Sequence, residues 1–318
     1  MRYRRLGQSG LLVSEVSLGS WLTLGSSVDQ AATNEIVRRA FDLGINLFDT
    51  ADVYARGGAE LALREALAGI SRHHVVIATK AFFPMSDRPN DRGLSRKHLF
   101  ESVEGSLQRL GTDYLDLHQC HRADPDTPLE ETVCAYEDLV RQGKVLYWGV
   151  SEWSAGQIDE ACRIADRRTA YRPVSSQPQY SMLRREIEAA VLPLCERQGI
   201  GQIVWSPLAQ GVLSGKYAAG QRPEGTRATD PERGVFMQDF LKDEVLERVA
   251  ELRPLANELG VTLAQLALAW CLLTPGVSSV IVGVTRTSQL EENALACEIE
   301  IPAKLRKRIH ALFPARGR

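Results

Sequence analysis

The chain is poor in the short motifs that announce common enzyme classes. No GxGxxG, GxxxxGK[ST], HExxH or GxSxG occurs in its 318 residues. That absence argues against a Rossmann dehydrogenase, a P-loop nucleotidase, a zincin and a serine hydrolase. The six cysteines (Cys120, Cys134, Cys162, Cys195, Cys271 and Cys297) form no CxxC pair. A chain this long needs no disulfide staples, so they read as buried thiols in a reducing compartment. His118 and His121 lie three apart with no Cys or Asp pattern to complete a metal set, so no metal site is expected.

Long apolar runs are missing too. The most apolar stretch, LAQLALAWCLL (263–273), is too short to span a bilayer and contains Gln265. The opening MRYRRLGQSG carries charge with no apolar segment behind it, unlike a signal peptide. Neither sign of charge dominates, with 40 acidic residues against 38 basic and a net charge of −2. Basic pairs such as Arg167-Arg168 and Arg184-Arg185 are scattered, which excludes nucleic acid or an anionic membrane as partner. A cytoplasmic protein is expected, and a homo-oligomer is left open.

What is present is rhythm. YRRLG (3–7) and LLVSEV (11–16) flank a turn at Gly10 and predict a β-hairpin. Eight short apolar runs follow at 15–19, 45–50, 75–80, 114–120, 145–151, 173–177, 201–206 and 278–283, separated by amphipathic stretches. In SRKHLFESVEGSLQRLG (95–111), Ser95 is the expected N-cap and Gly111 the stop. Repeated strand–helix units mean a parallel sheet. An open doubly wound sheet fits that pattern as well. Eight units without an obvious second domain favour one α/β domain over 1–318, a (β/α)8 TIM barrel with an N-terminal β-hairpin. PAKLRKRIHALF (302–313) predicts an extra C-terminal helix. Two connections, 81–94 and 218–236, are longer and more polar than turns require and follow strands on the expected active-site face.

Polar residues end three consecutive apolar strands: Asp49, Lys80 and His121. Alternation puts Ile45, Leu47 and Asp49 on one side of their strand, and Val76, Ala78 and Lys80 on one side of theirs. If those sides face the barrel interior, a carboxylate and an ammonium meet at its mouth. Tyr54 lies five residues beyond Asp49. Reduction of a carbonyl by hydride leaves an alkoxide that needs a proton. A tyrosine can supply it if an ammonium stabilises the tyrosinate and lowers its pKa from ~10, with a carboxylate holding the ammonium. A histidine would orient the carbonyl oxygen. Strand parity selects His121 for that role: it shares a face with Leu115 and Leu117, whereas His118 turns towards the helices. A glycoside hydrolase on the same barrel would need two acids at strand ends, but Asp49 is set against a lysine.

GINLFDTADVYARGGAE (44–60) resembles the signature of the aldo-keto reductase superfamily. The likeness continues through ATKAF, YLDLHQCHR, KVLYWGVSEW, SSQPQYSMLRR, VWSPLAQGVLSGKY and VIVGVTRTSQLEEN, in order, to about residue 295. It is most similar to the branch containing the β-subunits of voltage-gated potassium channels and their bacterial relatives. The resemblance implies an NADPH/NADP-dependent reductase of aldehydes or ketones with Asp49, Tyr54, Lys80 and His121 as its catalytic tetrad. It assigns Ser151 and Gln177, with Glu152 adjacent, to the nicotinamide carboxamide, and Trp205 to the nicotinamide ring. Ser206, Pro207, Leu208, Gln210 and Gly211, with Lys216, match the pyrophosphate loop. Ser20 and Trp21 match a contact from the first strand's loop, and Arg227 a lid arginine. Gly283, Thr285, Arg286, Gln289, Glu292 and Asn293 match the segment holding adenine and the 2′-phosphate; a helix start there suits an anion. Channel-associated members carry asparagine in a stretch resembling NRPD, where this chain has His121-Arg122-Ala123-Asp124. That difference favours a working reductase over the alternative, a nucleotide-sensing regulatory subunit with little turnover. Phe82, Phe83 and Met85 suggest an apolar substrate loop.

Overall fold

A computed structural model describes residues 1–231 and 234–315. Two antiparallel strands come first, β1 (Tyr3–Arg5) and β2 (Leu12–Ser14), with Tyr3 opposite Ser14. Eight parallel strands then close on themselves. They are β3 (Val16–Gly19), β4 (Leu47–Asp49), β5 (Val76–Ala81), β6 (Leu115–Cys120), β7 (Val145–Ser151), β8 (Ser175–Gln177), β9 (Gly201–Val204) and β10 (Val277–Val282). β10 pairs with β3 and seals the barrel.

Helices α1 (Gln30–Asp42), α2 (Gly58–Ala66), α3 (Arg96–Leu110), α4 (Leu129–Arg141), α5 (Ala155–Arg168) and α6 (Val191–Gln198) occupy the successive crossovers from β3 to β9. The long connection from β9 to β10 carries α7 (Asp243–Ala250), α8 (Arg253–Glu258) and α9 (Leu263–Leu272). α10 (Thr287–Ala294) and α11 (Ala303–Leu312) follow β10. The fold is the (β/α)8 barrel expected, with its hairpin and added C-terminal helix.

Local chemistry sets the helix ends. The Ser95 hydroxyl accepts from the His98 amide at 3.3 Å, and Gly111 ends α3 in the left-handed region at φ 66°. Asp29 caps α1 through the Ala32 amide at 2.8 Å. All ten residues of α9 are buried, which explains its apolar sequence without a membrane. Among the described residues, no single helix is long and apolar enough to cross one.

Two apolar clusters build the core. The larger lies mainly between strands and helices. The smaller fills the barrel with Leu47, Val76, Ala78, Leu117, Ile203 and Ile281, and the hairpin adds Leu6 and Val13. The hairpin therefore covers the N-terminal end of the barrel, and the Gln8 amide donates to Gly199 O at 2.8 Å. Approach there is so close that a Cβ on Gly7 would sit 2.2 Å from Gly199 O. With that end closed, the opposite mouth is left for chemistry.

Leu6 is fully buried under the barrel. Leu6→Ala should lower the unfolding free energy by about 2–4 kcal/mol in urea titration, the scale of a cavity-forming substitution. A loss under about 0.5 kcal/mol would show that the hairpin does not plug the barrel.

Candidate active site at the barrel mouth

Parallel register brings the strand-end residues together. Asp49 lies beside Ala78 across β4–β5, and Lys80 beside Gln119 across β5–β6. Leu47, Val76 and Ala78 fill the interior, so Asp49 and Lys80, two residues along, point the same way. Lys80 Nζ donates to Asp49 Oδ1 at 2.6 Å and to Thr50 O at 2.7 Å, with the lysine fully buried. Gln177 Nε2 donates to the other carboxylate oxygen at 2.8 Å. Tyr54 sits in a 3-10 turn directly after β4. Its hydroxyl is 3.5 Å from Lys80 Nζ and 3.4 Å from His121 Nε2. The turn is tied to the sheet, since Asp52 N donates to Lys80 O at 3.1 Å.

A buried network backs this turn. Ser102 Oγ donates to Asp52 Oδ2 at 2.8 Å, while Glu60 accepts from Thr79 Oγ1 and from Arg109 Nε, both at 2.6 Å. Burial, aided by the nearby Glu60 carboxylate, pushes the Asp52 carboxyl up to about 7. Sequence reasoning passed over Asp52 and Glu60 because an acid beside a helix start looks solvated.

Burial also dominates the reacting groups. It pushes the Tyr54 phenol above its ordinary range; Lys80 pulls it down but does not win. The net direction is therefore up rather than down as expected, because burial outweighs the lowering by Lys80, part of which Asp49 offsets. Burial alone would push Lys80 down, yet Asp49 and Tyr54 outweigh it and hold the ammonium charged. Burial, with the charges of Lys80 and Arg122, drives His121 well below its usual range, so its imidazole is neutral.

The two histidines divide as parity required. His118 is fully buried, and its Nδ1 lies 2.8 Å from the Tyr136 hydroxyl on α4. Leu117 lies in the barrel interior, whereas Leu115 and Ile45, nearer the N-terminal end of the barrel, join the larger cluster.

Above the tetrad runs a cleft of about 840 Å³. Asp49, Tyr54 and His121 line it, with Lys80 behind them. Ser20 and Trp21 come from the loop after β3, and Ser151 and Gln177 from the ends of β7 and β8. Trp205, Ser206, Pro207, Leu208, Gln210, Gly211 and Lys216 come from the loop after β9. Gly283, Thr285, Arg286 and Gln289 lead from β10 into α10. Arg227 reaches in from the second long connection, where its Nη1 donates to Gln210 Oε1. Residues 232 and 233 of that connection lie outside the described residues.

Three expected residues do not line the cleft. Glu152 stands behind Trp205, accepting from its indole Nε1 at 2.8 Å. Glu292 lies further along α10, its carbonyl accepting from Gln265 Nε2 at 3.0 Å, and Asn293 is buried beside it.

Other lining residues were not singled out: Leu22, Val53, Ala55, Arg122 and Phe236. Phe236 meets Trp21 edge-on at 5.1 Å, and Trp21 meets Trp205 at 5.8 Å. Phe83 lines the cleft against His121 at 4.9 Å, whereas Phe82 packs on the core. Leu22, Ala55, Ser206 and Gln210 line the cleft with positive φ, a strained backbone typical of functional mouths.

A parallel barrel whose mouth sets a tyrosine over a buried lysine–carboxylate pair defines a class, and the chain belongs to it. Residues 15–313 match the model of the aldo/keto reductase family, so this is a member of that family. It is 47% identical over 302 residues to a probable voltage-gated potassium channel subunit beta of Arabidopsis thaliana, covering 94% of this chain and 92% of the relative. A probable subunit beta of Oryza sativa subsp. japonica is 45% identical over 302 residues, with 94% and 92% covered. A putative subunit beta of Schizosaccharomyces pombe is 43% identical over 303 residues, with 93% and 88% covered.

His118 gives a pH test of the site's dry backing. Burial lowers its imidazole from 6.5 to about 3. Above 6.5 both folded and unfolded states hold it neutral; below 6.5 only the unfolded state takes the proton, so native stability falls towards pH 3. The stability difference between wild type and His118→Phe should shrink by about 1.4 kcal/mol per unit from pH 6 to 4. A difference independent of pH would contradict a neutral, buried imidazole.

Proposed function

We propose that this chain is an NADPH-dependent carbonyl reductase with Tyr54 as its general acid. The observation that carries this reading is the Asp49–Lys80 pair buried beneath Tyr54, with neutral His121 at 3.4 Å from the phenol. A raised phenol retains its proton at neutral pH, as an acid must before transfer. Once the proton leaves, the Lys80 ammonium at 3.5 Å stabilises the tyrosinate. His121 Nδ1 is buried without a partner, which leaves the ring proton most useful on Nε2, towards the substrate oxygen. Tyr54 and His121 thus converge on one carbonyl oxygen.

The cleft fits a phosphorylated dinucleotide. Lys216, Arg227 and Arg286 supply three cations along it, and Ser20 Oγ is buried with no partner of its own. Ser206 to Gly211 with Lys216 would hold the pyrophosphate, and Arg286 with Gln289 at the start of α10 the 2′-phosphate. Ser151, Gln177 and Trp205 would hold the nicotinamide, which supplies a hydride when bound. Phe83, Trp21 and Phe236 form apolar walls suited to aromatic or medium-chain carbonyl compounds. All six cysteines are free, which supports a reducing, cytoplasmic setting for one domain of 318 residues.

The similarity to channel β-subunits favours a second reading, a nucleotide-sensing subunit that regulates a partner with little turnover. NADPH oxidation against a panel of aldehydes and ketones separates the two.

Tyr54→Phe should abolish reduction of 4-nitrobenzaldehyde while NADPH affinity changes little; turnover within about tenfold of wild type would remove Tyr54 from its role. His121→Ala should cost at least ~100-fold in turnover, the scale of a lost oriented donor. For the cofactor, Arg286→Ala should cut the preference for NADPH over NADH about tenfold in fluorescence titration. An unchanged ratio would place the 2′-phosphate elsewhere.

A further inference from the structure

We propose that Arg122 forms an anion-accepting subsite beside the reacting centre, so that the preferred substrates are aldehydes or ketones bearing a carboxylate. The inference rests on the carbonyl-reduction reading above and adds to it the class of substrate.

The charges of the mouth are otherwise committed. Asp49 is paired with Lys80 and bonded by Gln177, and Lys80 lies behind the cleft surface. His121 is neutral. Lys216, Arg227 and Arg286 lie on the stretch suited to a dinucleotide. Phe83, which packs edge-on against His121, lines the cleft with Val53, Ala55, Trp21 and Phe236, and the Arg122 guanidinium sits beside the Phe83 ring.

The guanidinium of Arg122 is held in place. Its Nη1 donates to the His121 carbonyl at 2.5 Å, and its central carbon sits 5.4 Å from the Phe83 ring centroid. Among the described residues, no carboxylate forms an ion pair with it. Asp124, two residues on, is engaged elsewhere. Its Oδ2 accepts from the Leu94 amide and the Thr127 hydroxyl, and its Oδ1 from the Asp126 amide. An arginine carries five N–H donors, and most of these remain for a ligand.

A half-buried cation facing apolar walls without a counter-charge is costly, and a ligand anion removes that cost. Because the guanidinium is already fixed, little ordering accompanies binding. A carboxylate matches its planar fork. One cation among apolar walls suits a monoanionic carboxylate on a carbon skeleton better than a dianionic, hydroxylated sugar phosphate. Arg122 also reaches the reacting groups electrostatically, adding a minor downward pull on the His121 imidazole and on the otherwise raised Tyr54 phenol. Because Arg122 follows His121 in the chain, bonds its carbonyl and lines the same cleft, the anion and the reacting carbonyl would belong to one molecule.

The test compares 4-formylbenzoate with its neutral methyl ester, by NADPH oxidation, in wild type, Arg122→Gln and Arg122→Lys. Wild type should favour the carboxylate by at least about tenfold in kcat/KM, mainly through KM, the scale of a bond to a charged group. In Arg122→Gln that ratio should fall towards unity, and Arg122→Lys should retain part of it. Equal kcat/KM for acid and ester in wild type would overturn the subsite while leaving carbonyl reduction standing. A carboxylate preference that survives Arg122→Gln would overturn its assignment to this residue. If neither aldehyde is consumed although NADPH binds, the carbonyl-reduction reading fails and the substrate subsite with it.

Discussion

The Lys80–Asp49 contact, 2.6 Å long and closed to solvent, is the constraint on which the mouth of the barrel depends. Removing two charges from water is expensive, and mutual attraction compensates only when geometry is good and the remaining donors and acceptors are satisfied. Both conditions are met. The second carboxylate oxygen takes the Gln177 amide, and Thr50 O takes another lysine proton. These partners come from the ends of three strands, β4, β5 and β8, so only a closed barrel supplies all of them at once. The phenol then has a cation within reach of its oxygen and apolar surroundings that keep its proton on.

The same arrangement explains why the opposite end is sealed. An ion pair in the barrel requires a dry interior beneath it. Leu47, Val76, Ala78 and Leu117 provide that layer, and Leu6 and Val13 of the hairpin close it from below. The backing network of Asp52, Ser102, Glu60 and Arg109 continues the theme outside the sheet. There Ser102 donates to Asp52 and Arg109 to Glu60, and both carboxyl groups are buried. Tyr54 is thereby held in a turn where Ala55 and Arg56 adopt left-handed backbone.

Much of this was legible in the residue order. Alternation along INLFDT and VVIATK identified the faces carrying Asp49 and Lys80, and parity separated His121 from His118, because strand geometry leaves two faces only. Ser95 and Gly111 marked the ends of α3 because capping is local chemistry. The rest depends on contacts between distant segments. Nothing local says that Glu152 holds the Trp205 indole, or that Arg227 reaches Gln210. The upward direction of the Tyr54 shift was not legible for the same reason: a sequence shows the lysine but not how much desolvation the folded site imposes on the phenol. Glu292 and Asn293 share a helix face with Gln289 but lie one turn further along α10, a placement that the residue order does not show.

Membership of the aldo/keto reductase family and similarity to channel β-subunits fit either proposed reading, so the choice lies in the transfer step itself. The most direct measurement supplies NADPH deuterated at the transferable C4 position together with an aldehyde, and examines the alcohol by mass spectrometry. The account predicts one deuterium on the carbinol carbon of each alcohol formed. Tight NADPH binding with no deuterated alcohol, across a panel of carbonyl compounds, would contradict it and leave a nucleotide sensor.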